Sequence, residues 1–376
     1  MEQNQSRTVP DIDWQEIMDS LEAQKCVLFL GNSAFKDPDG RDMDALLSRW
    51  LELNDPEQKE IRHHNPDGFL LLKKKIYKRR VVDKIRGFYN RDFPAVEEHL
   101  ARIARIPFSL IVTLTYDNLL QRVFEDQNLD YQTDFYFKNR IAPEEFEVPT
   151  RERPMIYNLM GNIEESESLV LTHEDFFNYM ESVFVSKSMH PRLKEEIHAA
   201  ERFIFLGLPY EKWYFQMLLR ILKLQDKNLE EIERIALKET PDPVLQIVYE
   251  EFKINFIPTE AASFVQQLYD LCSQRSLLKS VEAALPGDSP GYSLDEIQKL
   301  VVEDARLIQA IDGLREYVRR KAPQSELNRG LLLLKSRATM LRQRELRGTI
   351  DTRDLPVEQN QINEQVLVLI SKARRL

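Results

Sequence analysis

Glycine is scarce in this 376-residue chain, with 11 in all, and no two lie closer than Gly287 and Gly291. A Walker-type loop or a G-x-G-x-x-G dinucleotide fingerprint needs closely spaced glycines beside a strand, so both are excluded. Cysteine is scarcer still. Cys26 and Cys272 alone allow neither a disulfide framework nor a four-cysteine zinc centre. The six histidines include no H-E-x-x-H arrangement, and no metal is expected. No apolar run approaches the roughly 18 residues that would cross a bilayer. The first fifteen residues lack the apolar stretch of a secretory signal. The expectation is a soluble, cytoplasmic protein with no membrane partner.

What is present is enough to build a large core. Hydrophobic residues make up 43%, with 19 Phe, 13 Tyr and 3 Trp, and the formal charge is −10. The length suits two domains. Trp14, Ile17, Met18 and Leu21 recur at helical spacing and lead into the apolar run 26–30, which Gly31 ends. Similar short runs follow at 109–115, 155–161, 168–171, 202–207 and 254–257, separated by helical patterns. Thr172-His173-Glu174-Asp175 has the form of a capping box. Buried strands alternating with helices predict an α/β fold with a parallel, Rossmann-like sheet covered on both faces.

The pattern changes near residue 285. Pro286-Gly287-Asp288-Ser289-Pro290-Gly291 has the chemistry of a linker, and beyond it only helical periodicities occur, at 294–302, 305–320, 325–347 and 357–374. From residue 292 onward there are 16 basic and 12 acidic residues, a net of +4, against −14 for the rest. Opposite charge across a Pro/Gly linker predicts an α/β domain over 10–275, a linker over 276–291 and an all-α helical bundle over 292–376.

Ligands of open α/β sheets bind beyond the carboxyl ends of the strands. Four such ends carry polar or glycine residues: Gly31-Asn32-Ser33, Thr115-Tyr116-Asp117, Asn158 to Gly161, and Gly207-Leu208-Pro209-Tyr210. One reading gathers them around a single crevice. The other has Gly31 and Gly207 serving only to turn the chain, and Asp117 only to cap a helix.

These four segments, in this order, resemble the sirtuin-like domain of bacterial anti-phage effectors. The carrying motifs are Val27-Leu28-Phe29-Leu30-Gly31-Asn32-Ser33, Thr113-Leu114-Thr115-Tyr116-Asp117, Leu159-Met160-Gly161 with Leu169-Val170-Leu171-Thr172, and Gly207-Leu208-Pro209-Tyr210 with Trp213. The tail from Ser293 resembles the small helical effector-associated domains of bacterial conflict systems. Its carriers are the helix 308–318, the run 331–337, Arg347-Gly348-Thr349-Ile350 and the segment 358–363. The first resemblance implies binding of NAD or a related nucleotide by Gly31, Asn32, Ser33, Thr115, Tyr116, Asp117, Asn158, Gly161 and Gly207. The second implies another conflict-system protein as partner, together with homo-oligomerisation.

In active sirtuin-like relatives an Asn orients water and ribose, and a His acts as base while NAD⁺ is cleaved. Here those positions are Thr115 and Met160. A short alcohol lacks the reach of an amide, and a thioether cannot take and return a proton near neutral pH. Loss of a general base alone removes about 10²–10⁴-fold in rate. The expected protein is an immune component with a nucleotide-binding domain that cleaves NAD⁺ poorly or not at all. Two alternatives remain: an active NAD glycohydrolase switched on by assembly, and a non-catalytic oligomerisation scaffold. His173 is a candidate surrogate base, although a His just inside a helix start more often sits near solvent. The basic stretch 73–86 on an expected helix is read as a solvated surface, not a nucleic-acid site.

Overall fold

The computed structural model describes residues 12–137, 146–185, 189–222, 232–238, 243–280, 292–302, 306–322, 325, 327–346 and 353–376. The expected linker turn 286–291 and the segment 347–350 lie outside these residues. Nine strands are described: β1 Cys26–Leu30, β2 Ile61–His64, β3 Leu70–Leu72, β4 Leu110–Thr113, β5 Gln132–Phe135, β6 Met155–Asn158, β7 Arg202–Leu206, β8 Glu233–Leu237 and β9 Ile254–Ile257. The helices before β5 are α1 Trp14–Glu22, α2 Met43–Asn54, α3 Lys78–Tyr89, α4 Pro94–Arg105 and α5 Leu119–Asp126. Then come α6 His173–Val185, α7 Pro191–His198, α8 Trp213–Ile221, α9 Pro243–Phe252 and α10 Ala261–Gln274. The helices of the tail are α11 Leu294–Val302, α12 Leu307–Lys321, α13 Leu327–Leu346 and α14 Asp354–Ala373.

Seven strands form one sheet in the order β5-β6-β4-β1-β7-β8-β9, and every pairing in it is parallel. The central strand β1 is buried along its whole length, as its uninterrupted apolar run requires. Phe29 packs on Phe203 and Phe205 across the β1–β7 pair, with ring centroids 6.0 and 5.1 Å apart. The chain leaves β1 for β4 on one side, builds β5 and β6 outward, then crosses to β7 on the other side. The direction of winding therefore reverses at β1, and in such sheets the carboxyl ends part there to leave a crevice.

The turns that follow β1 and β7 meet at this reversal. Gly31 donates to the Leu206 carbonyl at 2.9 Å, and Ser33 donates to the Gly207 carbonyl at 3.3 Å. A side chain on Gly31 would overlap the Gly207 carbonyl oxygen. Gly207 has φ +62, and a side chain there would overlap the backbone of Ala34. Only glycine permits both the left-handed turn and the approach of two backbones.

Several sequence expectations change. Residues 168–171 do not join the sheet. Ser166–Ser168 is a short 3-10 turn, and the following residues run as a strap on which Val170 donates to the Met160 carbonyl. The basic stretch is not one helix: β2 and β3 form an antiparallel hairpin, a 3-10 turn covers Lys75–Tyr77, and α3 begins only at Lys78. Ile76, within this stretch, is 79% exposed. Acidic neighbours take up much of the positive charge: Lys78 pairs with Asp175 at 2.7 Å, Lys84 with Glu60 and Asp55, Lys75 with Glu174, and Arg86 with Asp83 at 2.8 Å. The capping box at α6 forms reciprocally: Asp175 N donates to Thr172 Oγ1, and Thr172 N donates to Asp175 Oδ2.

Among the described residues, compact packing separates a unit made of those up to Leu120, 130–137 and those from 146 to 279 from a second that gathers Ser280 and those from 292 onward with Gln121–Leu129. The tail is helical, as its periodicity predicts. Ser293 and Glu296 close a capping box at the start of α11. Ile297, Ile311, Leu314, Val318, Leu331, Val366 and Ile370 form its buried core. No described helix is long and apolar enough to cross a membrane.

Because the β1 and β7 turns share one contact, Gly207→Ala is expected to destabilise the α/β unit by about 3 kcal/mol or more. Chemical denaturation followed by circular dichroism measures this. A loss below about 0.5 kcal/mol would show that the two turns separate freely.

Candidate functional site

The carboxyl ends of β1, β4, β6 and β7 lie along one edge of the sheet, and most of the expected site residues there are committed to structure. Gly31 and Gly207 hold the two turns together. Amides 31, 33 and 34 are taken, by the Leu206, Gly207 and Gly31 carbonyls respectively. A phosphate cradle depends on free, convergent amides. This turn does not offer one.

Asp117, after β4, is buried and accepts from Leu119 N at 2.8 Å, so it shapes the start of α5. Asn158, with no exposed surface, donates from Nδ2 to the Asp117 carbonyl at 3.2 Å and ties the ends of β4 and β6. Gly161 abuts the Ser168 carbonyl on the strap. Met160 is 6% exposed and belongs to the same core as Val170, Phe176 and Leu208. Thr115 and Tyr116 are half-buried, and Ser33 is exposed. His173 is engaged elsewhere: its Nε2 lies 2.7 Å from Asp67 Oδ2, and its ring faces Phe69.

The residues that give this crevice its chemistry were not legible as a set. Asp42 caps α2 by accepting from Ala45 N at 2.9 Å, which places Asp44 in the first turn beside the β1 end. Asn32 Nδ2 donates to Asp44 Oδ1 at 2.7 Å. Asp44 is exposed at the start of α2, although many protein atoms stand near its carboxylate. This crowding pushes its pKa up to about 6, against the Asn32 hydrogen bond, with Asp42 and Asp117 adding repulsion and Lys212 attraction.

Three tyrosines share this environment. Tyr89, on α3, is 1% exposed, and its ring meets Tyr116 edge-on at 6.2 Å. Tyr89, Tyr116 and Tyr214 all have phenol pKa values raised by burial first, and by the negative field of Asp44 among other groups. Above them, the tip of the β2–β3 hairpin is fastened by Lys212 Nζ to the Pro66 carbonyl at 2.7 Å, and by Trp213 Nε1 to Asp67 at 3.3 Å. Asp67 is held below the usual carboxylate range: burial alone would raise it, but hydrogen bonds from His173, Phe69 N and Trp213 prevail. A spacing cue for Asp44 did exist. Asp42 and Asp44 flank a helix start two residues apart, and only one carboxylate is needed as a cap. Among the described residues, no group of three or more His, Cys, Asp or Glu is placed to hold a metal.

Two family models match this chain. Residues 109–257 match the SIR2-like domain, and residues 292–374 match effector-associated domain 11. The chain thus carries a SIR2-like region followed by an effector-associated domain, in the order that the sequence motifs indicate. The first match begins just before β4, so the β1 turn and Asp44 lie outside it. No curated protein matches the chain.

Asp44 also yields a pH signature. Its folded pKa lies above that of an unfolded aspartate, about 3.9, so the folded state binds more protons between the two values. Its contribution to stability is greatest below pH 4 and is lost as pH rises through 6. Asp44→Asn is therefore expected to match the wild type in melting temperature near pH 4 and to exceed it at pH 7.5. A thermal-shift series across that range checks the sign, and a variant less stable at pH 7.5 would contradict it.

Proposed function

We propose that this chain, a SIR2-like region followed by an effector-associated domain, is a component of a bacterial conflict system. Its α/β part, 10–275, holds NAD or a related nucleotide without cleaving it at the rate of Asn/His-bearing relatives. Its helical part, 292–376, joins it to another protein of that system. The observation that carries the first half is the state of the crevice. The strand ends still carry polar groups, while the position of the family's proton acceptor holds Met160, a buried member of the apolar core that includes Val170, Phe176 and Leu208.

The fit to a dinucleotide is uneven. The amides of Gly31, Ser33 and Ala34 in the β1 turn are already bonded and do not suit a diphosphate. Asp44, Asn32, Thr115 and the tyrosines suit the hydroxyls of a sugar. Lys212, close enough to act on Asp44, is a cation for a phosphate at the crevice mouth. A bound dinucleotide would supply a cationic nicotinamide leaving group. What this chain lacks at Thr115 and Met160 is the amide and imidazole that handle water and protons around it.

Incubation of the purified protein with NAD⁺, with nicotinamide release followed by chromatography, tests the reading. Release is expected to stay at the level of the protein-free control. The double substitution Thr115→Asn with Met160→His is expected to raise it by 10-fold or more, within the range that general-base catalysis supplies. Brisk release by the wild type that Thr115→Ala abolishes would overturn the proposal in favour of an active glycohydrolase. Isothermal calorimetry with NAD⁺ separates a nucleotide binder from a scaffold: heat of binding supports the proposal, and its absence supports the scaffold.

A further inference from the structure

One outer surface of the α/β unit carries large side chains in water that neither the core nor the strand ends explain. Phe177, on α6, is 61% exposed, and Trp213, at the start of α8, is 40% exposed. Their rings lie 6.3 Å apart, so the two form one patch. Trp213 is fixed in place by Phe176, edge-on at 5.3 Å, and by its bond to Asp67. The patch continues toward the exposed Ile76. Lys75, the residue before it, pairs with Glu174, which stands one helical turn before Phe177. Single exposed apolar residues are ordinary on a surface, but adjoining ones rimmed by charge mark an interaction site.

The charge on this surface falls into two neighbouring strips. On α6 the exposed residues Glu174, Phe177 and Glu181 recur at helical spacing, so the outward face reads acid, aromatic, acid. Just before and into α3, Lys73, Lys74, Ile76 and Arg79 are exposed, so the second strip reads base, apolar, base. Among the described residues, Lys73, Lys74, Arg79 and Glu181 carry no ion pair. A polyanion fits this surface poorly, because a nucleic acid or an anionic bilayer that met the lysines would also meet Glu174 and Glu181. A second copy of the chain fits it well. Turned about a two-fold axis that runs between the strips, each basic strip lies on the acidic strip opposite, and each Ile76 lies toward the opposite aromatic pair.

We propose that the outer face of α6, with Trp213 and the segment 73–79, is a self-complementary surface through which two copies of this chain pair. The inference is independent of the nucleotide reading, since it uses no group at the strand ends. Its division of labour is ordinary for an interface: the aromatic anchors supply affinity, and the charges fix register and discriminate against other approaches. The anchors also stand on braced elements. Asp67, at the hairpin tip, holds both Trp213 and His173, the first residue of α6, so α6 and α8 are tied beside the patch. Side chains held in place before contact lose less freedom on pairing.

Sedimentation equilibrium of the full-length protein tests this. The wild type is expected to pair with a dissociation constant of about 10 µM or below. Phe177→Asp changes an exposed side chain, so the fold is kept, and pairing is expected to weaken by about 10-fold or more. Lys73→Glu with Lys74→Glu sets acid against acid across the contact, and Glu174→Lys with Glu181→Lys sets base against base. Each of these proteins alone is expected to lose pairing by about 10-fold or more. Mixed in equal amounts they are expected to pair with each other, because each then supplies the strip that the other needs. Misfolded variants would show no such rescue, and circular dichroism of each confirms the fold. A wild type that stays monomeric at about 100 µM overturns the proposal and leaves the surface to a different protein. Pairing that all three variants keep within about 2-fold of the wild type overturns it too and moves the contact to another surface. Folded charge variants that fail to pair in the mixture overturn the opposed-strip arrangement.

Discussion

The architecture of this crevice depends on one backbone contact, between the turn after β1 and the turn after β7. These strands lie side by side at the centre of the sheet, where the winding reverses. In many doubly wound proteins that reversal leaves the turns apart and a diphosphate enters between them. Here Gly31 and Gly207 bring the two main chains together, and their amides and carbonyls bond to each other. A glycine in this position serves two opposite ends. It either lets a ligand approach the backbone, or it lets another backbone do so. The hydrogen-bond register of 31 to 34 decides for the second.

Closing the main-chain cradle moves the burden of recognition to side chains. Those that remain come from elements flanking the turns: Asn32 just past β1, Asp44 in the first turn of α2, Tyr116 after β4, and Lys212 and Tyr214 at the start of α8. Their positions follow from ordinary local chemistry. Asp42 caps α2 and thereby fixes where Asp44 sits. Lys212 is held by the Pro66 carbonyl at the hairpin tip. Asp44 is the costly member, because crowding opposes its charge and Asp117 repels it. A fold does not need that charge, and replacing it with an amide keeps the bond to Asn32. Groups that a fold keeps at a cost are where function concentrates.

Much of the scaffold was legible in sequence for a simple reason. Strands buried on both faces are largely continuous apolar runs, and β1, β4 and β7 stand out as such. The four tail helices were equally plain from their periodicity. β5, with Gln132, Thr133 and Asp134, was not, since its polar residues give no apolar run although they are buried. The β2–β3 hairpin was hidden by the lysines that follow it, which suggested one continuous helix. Strand ends identified the crevice but not its working groups. Asp117 and Asn158 have the right residue types at the right ends, yet they are spent on α5 and on each other's strands. Asp44 is distant in sequence from every strand end, so only the packing of α2 brings it in.

The fate of position 160 connects packing to chemistry. An imidazole that exchanges protons needs a polar partner and access to water. The surroundings of Met160 offer neither: Val170, Phe176 and Leu208 share its core, and its carbonyl is bonded to the strap at Val170. Methionine is flexible and polarizable and fills such irregular apolar space well. Position 160 lies in a neighbourhood that is core. Solvent reaches instead the polar groups Asn32 and Asp44, after β1 and at the start of α2. A thioether in such surroundings serves packing, whatever chemistry the neighbouring strand ends carry.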